Sequence, residues 1–265
     1  MLKTKKIIYI TLAWICGISV SLLFVFLAAY MVAFNRSIYH NSMVREARDF
    51  YGEKNLTDEQ VRLLNTHDLN QKELDFIIDD VLKYLTDKRP EMNTVLKDEN
   101  GGILYDTDEL FTETEISHMV DVKALFTAIK WITVTCAILA PAALAGMIFT
   151  DRERWRAKHR NLFKYTLIGN GVFLGLLVLL MLINFEWAFE QFHLIFFNNM
   201  DWQLSYNDLL IEMLPENLFM RLAILISATY ISLMAVFFFA GFFQKQIGTL
   251  FQGTGNREQG TGKDI

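Results

Sequence analysis

Four uncharged or nearly uncharged apolar runs are separated by stretches rich in charge. Residues 7–34 carry no charge at all. Residues 124–149 are interrupted only by Lys130, near one end of the run, where a long side chain can reach back to water. Residues 166–185 and 222–243 complete the set. A helix needs about 20 residues to cross a bilayer, so the pattern predicts four transmembrane helices. The first run reads as a retained span: it is about twice as long as the h-region of a signal peptide, and no small-x-small cleavage site follows it.

Between the first two runs the periodicity changes. Leu74, Ile77, Ile78, Val81, Leu82 and Leu85 recur at helical spacing with acids and lysines opposite, which predicts an amphipathic helix over residues 71–88. Thr57 and Gln60 have the spacing of a capping box, opening a short helix over 58–66. Residues 94–97 and 103–105 flank Asp98-Glu99-Asn100-Gly101-Gly102 and predict a small β-hairpin. Thr112 and Glu115 cap the helix that enters the second run. The expected fold class is an all-α integral membrane protein of four transmembrane helices, with a mainly helical extracytoplasmic cap that contains a small β-hairpin. Its parts are residues 1–34, the N-terminus and first span; 35–123, the cap; and 124–149, the second span. A basic loop at 150–165 leads to the third span at 166–185. An outer interfacial segment at 186–219, the fourth span at 220–243 and a disordered tail at 244–265 follow.

Charge sets the direction. Lys3, Lys5 and Lys6 precede the first run without an acid, and the loop after the second holds Arg152, Arg154, Arg156, Lys158, Arg160 and Lys164 against Asp151 and Glu153. By contrast, Glu186, Glu190, Asp201, Asp208, Glu212 and Glu216 occupy 186–219 with no Lys or Arg. The positive-inside bias therefore puts both termini and the basic loop in the cytoplasm, and 35–123 and 186–219 outside. With 52% hydrophobic residues overall, this is a multi-pass protein of the plasma membrane with no feature that calls for nucleic acid. Cys16 and Cys136 both lie inside apolar runs, which excludes a disulfide scaffold or a cysteine zinc site from the outer region. Cys16 follows Ala13-Trp14-Ile15, which is not a lipobox. The span interiors hold only Asn170 and Asn184 as strongly polar groups, against a transporter, and no cytoplasmic segment is large enough for a sensor's output domain. Gly171-x-x-x-Gly175 is a candidate helix-contact motif.

Two histidines fall at the outer edges of apolar runs, His118 before the second and His193 after the third. Glu115 and Asp121 lie three residues either side of His118, on one helix face. A carboxylate beside an imidazole fixes its tautomer and stabilises its cation; the plainer alternative is a solvated helix start. His193 sits among Phe185, Trp187, Phe189, Phe192, Phe196, Phe197 and Trp202, with Glu190 three residues before it. Such a set could wall a water-poor pocket for acyl chains, or it is an aromatic belt on a re-entrant amphipathic helix. Two imidazoles that take and return protons near neutral pH would make a site if they face each other; competing readings are a metal-dependent hydrolase in which both histidines and a carboxylate are ligands, and a non-enzymatic sensor or scaffold.

The stretch Phe192-His193-Leu194-Ile195-Phe196-Phe197-Asn198-Asn199-Met200-Asp201-Trp202, followed by Leu210-Ile211-Glu212-Met213-Leu214-Pro215-Glu216 and Phe219, resembles a signature of the bacterial lipoprotein intramolecular transacylase family. Glu115-Ile116-Ser117-His118-Met119-Val120-Asp121-Val122-Lys123, with Leu125-Phe126, resembles that family's second signature. The likeness is specific over 112–126 and 185–219 and is not legible over 35–101. It implies four spans with an outer cap, and an enzyme acting on lipoproteins whose N-terminal cysteine bears a diacylglyceryl thioether. The sn-2 acyl chain would pass to the cysteine α-amine, leaving an N-acyl, S-monoacylglyceryl (lyso) form. The implied catalytic residues are His118 and His193, supported by Asp121 and Glu190. Phe192, Phe196, Phe197, Asn198, Asp201 and Trp202 would bind substrate. Ester to amide is downhill, and the chain has neither a nucleotide loop nor a His-Glu-x-x-His motif, so no cofactor or metal is expected.

Overall fold

The structure, a computed structural model, describes residues 2–40, 57–92, 96–97, 103–105 and 110–236. In chain order these form α1 (Leu2–Ala33), α2 (Arg36–Tyr39), α3 (Asp58–Arg62), α4 (Gln71–Leu85), β1 (Leu96–Lys97), β2 (Ile103–Tyr105), α5 (Glu113–Thr150), α6 (Arg152–Ile183), α7 (Phe185–Phe196), α8 (Leu209–Met213) and α9 (Glu216–Val236). Three of them, α1, α5 and α9, are long and apolar enough to cross a membrane, and Ile168–Ile183 of α6 forms a shorter apolar helix. The first part of the fourth expected span, in α9, is described; residues 237–243 and the tail lie outside the described residues, as do 94–95 and 98–102 of the expected hairpin.

α5 matters most for function. Its 38 residues extend about 57 Å at 1.5 Å each, nearly twice the hydrocarbon thickness. The surplus is its polar first part, Glu113 to Lys123, which stands clear of the apolar stretch and carries His118. Within the membrane, α5 packs closely on α1: Tyr9, Cys16 and Val20 are buried against Ala140, Ala143 and Met147. Small residues make that approach possible, and a Cβ added at Gly146 would meet Leu12 Cδ1 at 3.0 Å. Gly171 and Gly175 behave differently from the helix-contact expectation, since an added Cβ at either meets nothing within 4 Å. A second cluster joins Ala28 of α1, Leu174 of α6, and Tyr230 and Met234 of α9.

The cap has its own core. Leu74, Ile77, Ile78 and Val81 of α4 form the buried stripe that their spacing predicts, together with Leu69 and Tyr84. α4 ends at Leu85 rather than at residue 88, with Thr86 as its C-cap. α3 is shorter than expected, but its box of Thr57 and Gln60 is present. β1 and β2 pair antiparallel with an irregular register. Leu209, Leu210 and Met213 of α8 complete the core with Met119 of α5, so the segment after α7 folds back under the cap. Lys123 fastens the cap to α5: its Nζ lies 4.1 Å from the Tyr84 ring centroid and 3.5 Å from Asp87 Oδ1.

Glu115 joins these parts. It is fully buried, and its carboxylate accepts from the Thr112 N–H at 2.7 Å and hydroxyl at 3.1 Å, closing the box on α5. Its other oxygen accepts from the Leu210 N–H at 2.8 Å, in the first turn of α8. One acid thus caps two helix N-termini, where negative charge is favoured. Glu115→Ala orphans the buried Leu210 N–H at about 1–3 kcal/mol and removes the capping-box bonds to the exposed Thr112, a cap loss of about 0.5–2 kcal/mol. A loss of at least ~2 kcal/mol is expected in detergent unfolding, with Glu115→Gln intermediate because one acceptor remains. An unchanged unfolding midpoint in Glu115→Ala would overturn the double-cap account.

Candidate functional site

His118 comes from the polar first part of α5, on the turn after Glu115. His193 comes from α7, an amphipathic helix that begins where α6 stops. The break is at Asn184, whose side chain accepts from the Trp187 N–H at 3.0 Å and caps α7. Phe185, expected as the end of the third span, is therefore the first residue of α7. This turn directs the buried face of α7 back toward α5, and the two imidazoles meet with ring centroids 5.7 Å apart and planes inclined by 39°.

Aromatic rings close around the pair. Trp202 stacks on His193 at 4.8 Å, and Phe189 lies 4.1 Å from it. Phe197 touches both imidazoles, 5.2 Å from His118 and 5.5 Å from His193. Both histidines are buried, with 9% and 5% exposure. Phe192 and Phe196 lie further out, half exposed and packed on each other at 4.8 Å. The site is thus a pair of buried imidazoles with an apolar rim.

The Phe189 carbonyl accepts a hydrogen bond from His193 Nδ1 at 2.7 Å. Because a carbonyl can only accept, the ring proton sits on Nδ1 and Nε2 is left with its lone pair free. Burial pushes the His193 pKa down, with the Phe189 bond opposing. His118 lies before the apolar stretch of α5. Burial, and then the charge of His193, lower its pKa to about 4, while Asp121 and Asp201 pull it up. Two buried polar atoms here have no partner among the described residues, His118 Nδ1 and Trp202 Nε1.

The expected supporting carboxylates act otherwise than spacing suggests. Asp121 accepts from Asn199 Nδ2 at 2.7 Å and influences His118 through its charge. Glu190 is exposed, and none of the described hydrogen bonds joins it to His193; the Phe189 backbone holds that ring instead. Asp201 accepts from the Ser117 hydroxyl at 2.6 Å, and Asn198 is exposed. Ser117, Phe189 and Asn199 have roles that sequence reasoning missed. Ser117 and Asp121 stand four apart on one face of α5, which was a visible signal, but their partners lie 84 and 78 residues away. Among the described residues, no three His, Cys, Asp or Glu side chains are gathered as a metal site.

The model of the family described as lipoprotein intramolecular transacylase Lit matches residues 14–219. Among solved structures, the chain is similar to the membrane-integral lipoprotein intramolecular transacylase of Bacillus cereus, with 20% identity and a TM-score of 0.64. That likeness covers 95% of this chain and all of the other. Two more structures of the Bacillus cereus protein, with one histidine replaced by arginine or by alanine, also match at 20% identity and a TM-score of 0.63. Each covers 93% of this chain, and the matches span 97% and 99% of theirs. A comparison with curated proteins finds no match. At this identity the structural likeness establishes a shared fold.

Proposed function

The chain belongs to the lipoprotein intramolecular transacylase family, and from that premise we propose that His118 and His193 together move the acyl chain. It is an acyltransferase. The substrate is a lipoprotein with a diacylglyceryl group on its N-terminal cysteine, and the product is the lyso form, N-acylated on that cysteine. The carrying observation is the facing of two buried imidazoles, 5.7 Å apart, one of which has a free Nε2.

Chemistry follows from those atoms. The substrate α-amine has a pKa of about 7.7–8 and must lose a proton to attack. His193 Nε2 is the base: its ring is held by Phe189 and is neutral at physiological pH because it is buried. The amine nitrogen attacks the sn-2 ester carbon, forming a tetrahedral oxyanion. Collapse forms the amide and breaks the bond to the glycerol oxygen; of the two protons the ammonium group loses, the first leaves to water before attack, and the second, taken by His193 Nε2 as the N–C bond forms, passes to that oxygen. Among the described residues His118 Nδ1 and Trp202 Nε1 lack partners, and with the His118 ring proton on Nδ1 both are donors. An unpaired buried donor costs about 1–3 kcal/mol, and the ester oxygens supply the missing acceptors, strengthening as charge develops. Amine and ester belong to one molecule, so a pocket that folds the lipid back on its cysteine gains through effective concentration. The rim of Phe192, Phe196 and Phe197 suits the acyl chains.

In this reading the chain crosses the membrane four times, with termini and the 150–165 loop in the cytoplasm and the histidines at the outer face. The charge bias supports that direction, and the length of α5 supports a site raised above the hydrocarbon. Partners are diacylglyceryl lipoproteins and membrane lipids. Expression in a bacterium that makes only diacyl lipoproteins is expected to convert N-terminal lipopeptides to the lyso form at unchanged total mass, read by mass spectrometry. A gain or loss of one acyl mass would instead indicate intermolecular transfer or hydrolysis. Activity surviving EDTA separates this reading from a metal-dependent hydrolase, which chelation would stop.

A further inference from the structure

We propose that Ser117, Asp121, Asn199 and Asp201 form a two-point clamp whose role is to hold the loop after α7 in register with α5, and so to set the spacing of the two histidines. This rests on the two-histidine reading. The loop 197–208 has little regular support: its described backbone bonds within that stretch are local turns, Gln203 N–H to the Met200 carbonyl and Asp208 N–H to the Ser205 carbonyl. Two side-chain bonds tie it to α5 instead. Asn199 Nδ2 donates to Asp121 at 2.7 Å, and the Ser117 hydroxyl donates to Asp201 at 2.6 Å. Both acceptors are carboxylates and both bonds are short, the stronger class of hydrogen bond.

The arrangement is directional. Ser117 and Asp121 lie one helical turn apart with His118 between them in the chain, so the two grips bracket the catalytic turn. On the loop side, Asn199 is itself oriented, because its Oδ1 accepts the Asp201 N–H at 3.2 Å. The residue after Asp201 is Trp202, which stacks on His193. A continuous path therefore runs from the His118 turn through the clamp to the ring lying on His193. Loss of one grip lets Trp202, and His193 with it, shift part of the way against His118, and loss of both frees it by the full amount. Displacements of about 1 Å in a reacting pair cost on the order of 100-fold in rate.

The test uses the full-length enzyme in detergent and a diacylglyceryl-cysteine lipopeptide. Ser117→Ala and Asn199→Ala are each expected to lower kcat roughly tenfold, and the double variant roughly 100-fold, with little change in KM. Ser117→Thr, which keeps the hydroxyl, restores kcat. Asn199→Asp places two carboxylates together and lowers kcat further, whereas adding Asp121→Asn to it re-creates a donor and an acceptor and recovers most of the rate. Asp201→Asn keeps an oxygen for Ser117 but removes a charge that holds the His118 pKa up, so the acidic limb of the rate profile moves to lower pH. A residue needed only for folding would move neither that limb nor the exchange pair. Unfolding midpoints identify a variant that fails to fold, and the exchange pair then decides. Wild-type kcat in Ser117→Ala, Asn199→Ala and their double, beside an inactive His193→Ala, would overturn the clamp and leave the two-histidine site standing. An active His193→Ala protein would bring down both.

Discussion

Replacing His118 or His193 by Ala is expected to remove nearly all lipopeptide conversion, a loss of about 10³-fold or more from proton transfer alone. The double variant should be little worse than either single one. Two groups that act on one proton path fail together, so their losses do not add. The geometry makes this demanding, because each ring has a distinct state: His193 holds its Nδ1 proton against Phe189 and offers Nε2, while His118 Nδ1 awaits a partner. An alanine at either position leaves the other imidazole in an aromatic pocket without a second group to share the proton. His67→Ala and His159→Ala serve as controls and should stay active. His67 pairs with Glu212 at 3.2 Å and secures the cap to α8, and none of the described contacts joins it to His118 or His193. The measurement is single-turnover conversion by mass spectrometry, with unfolding midpoints as the check on integrity. Near-normal conversion in a folded His193→Ala protein, or losses that multiply in the double variant, would refute a joint role.

How far the chain could be read before its structure depended on the range of each interaction. Apolar runs and capping boxes are local, and they located α1, α5, α9, the α4 stripe and the caps of α3 and α5 from spacing alone. Their ends were less legible: α6 breaks at Asn184 because that side chain caps α7, a competition between one polar side chain and a continuing apolar run. Long-range pairings left no period in the sequence. Asp121 stands three residues from His118, which suggested a direct partner, but Asn199 reaches its carboxylate first. Glu190 was the matching suggestion for His193, yet a backbone carbonyl one turn back takes that place. Backbone groups are present at every residue and so mark nothing in a sequence. Glu115 looked like part of the histidine face and is instead the shared cap of α5 and α8. The resemblance named the two histidines; what brings them within 5.7 Å is packing from α7, the following loop and α8.

The pH profile should show that this packing sets the chemistry. An unburied histidine has a pKa near 6.5, so at pH 5 only about one in thirty such rings would be neutral. His118 is lowered to about 4, chiefly by burial and then by the nearby charge of His193; at pH 5 about nine-tenths of it stays neutral. His193 is lowered in the same direction by burial. Protonation of the substrate amine alone gives kcat/KM a first-order fall below about pH 8. The histidines should steepen that slope only well below pH 6.5. Trp202 lies on His193 and keeps water from it, so Trp202→Ala should let the His193 pKa rise toward its ordinary value. The second break then moves up in pH, and activity at pH 5 falls far more than activity at pH 8. Burial disfavours the imidazolium, so removing burial must shift the limb upward; a charge effect would depend on salt, and this one should not. A wild-type profile already second-order just below pH 6.5, unmoved by Trp202→Ala, would mean that the histidines are wet and that the aromatic enclosure does not tune them.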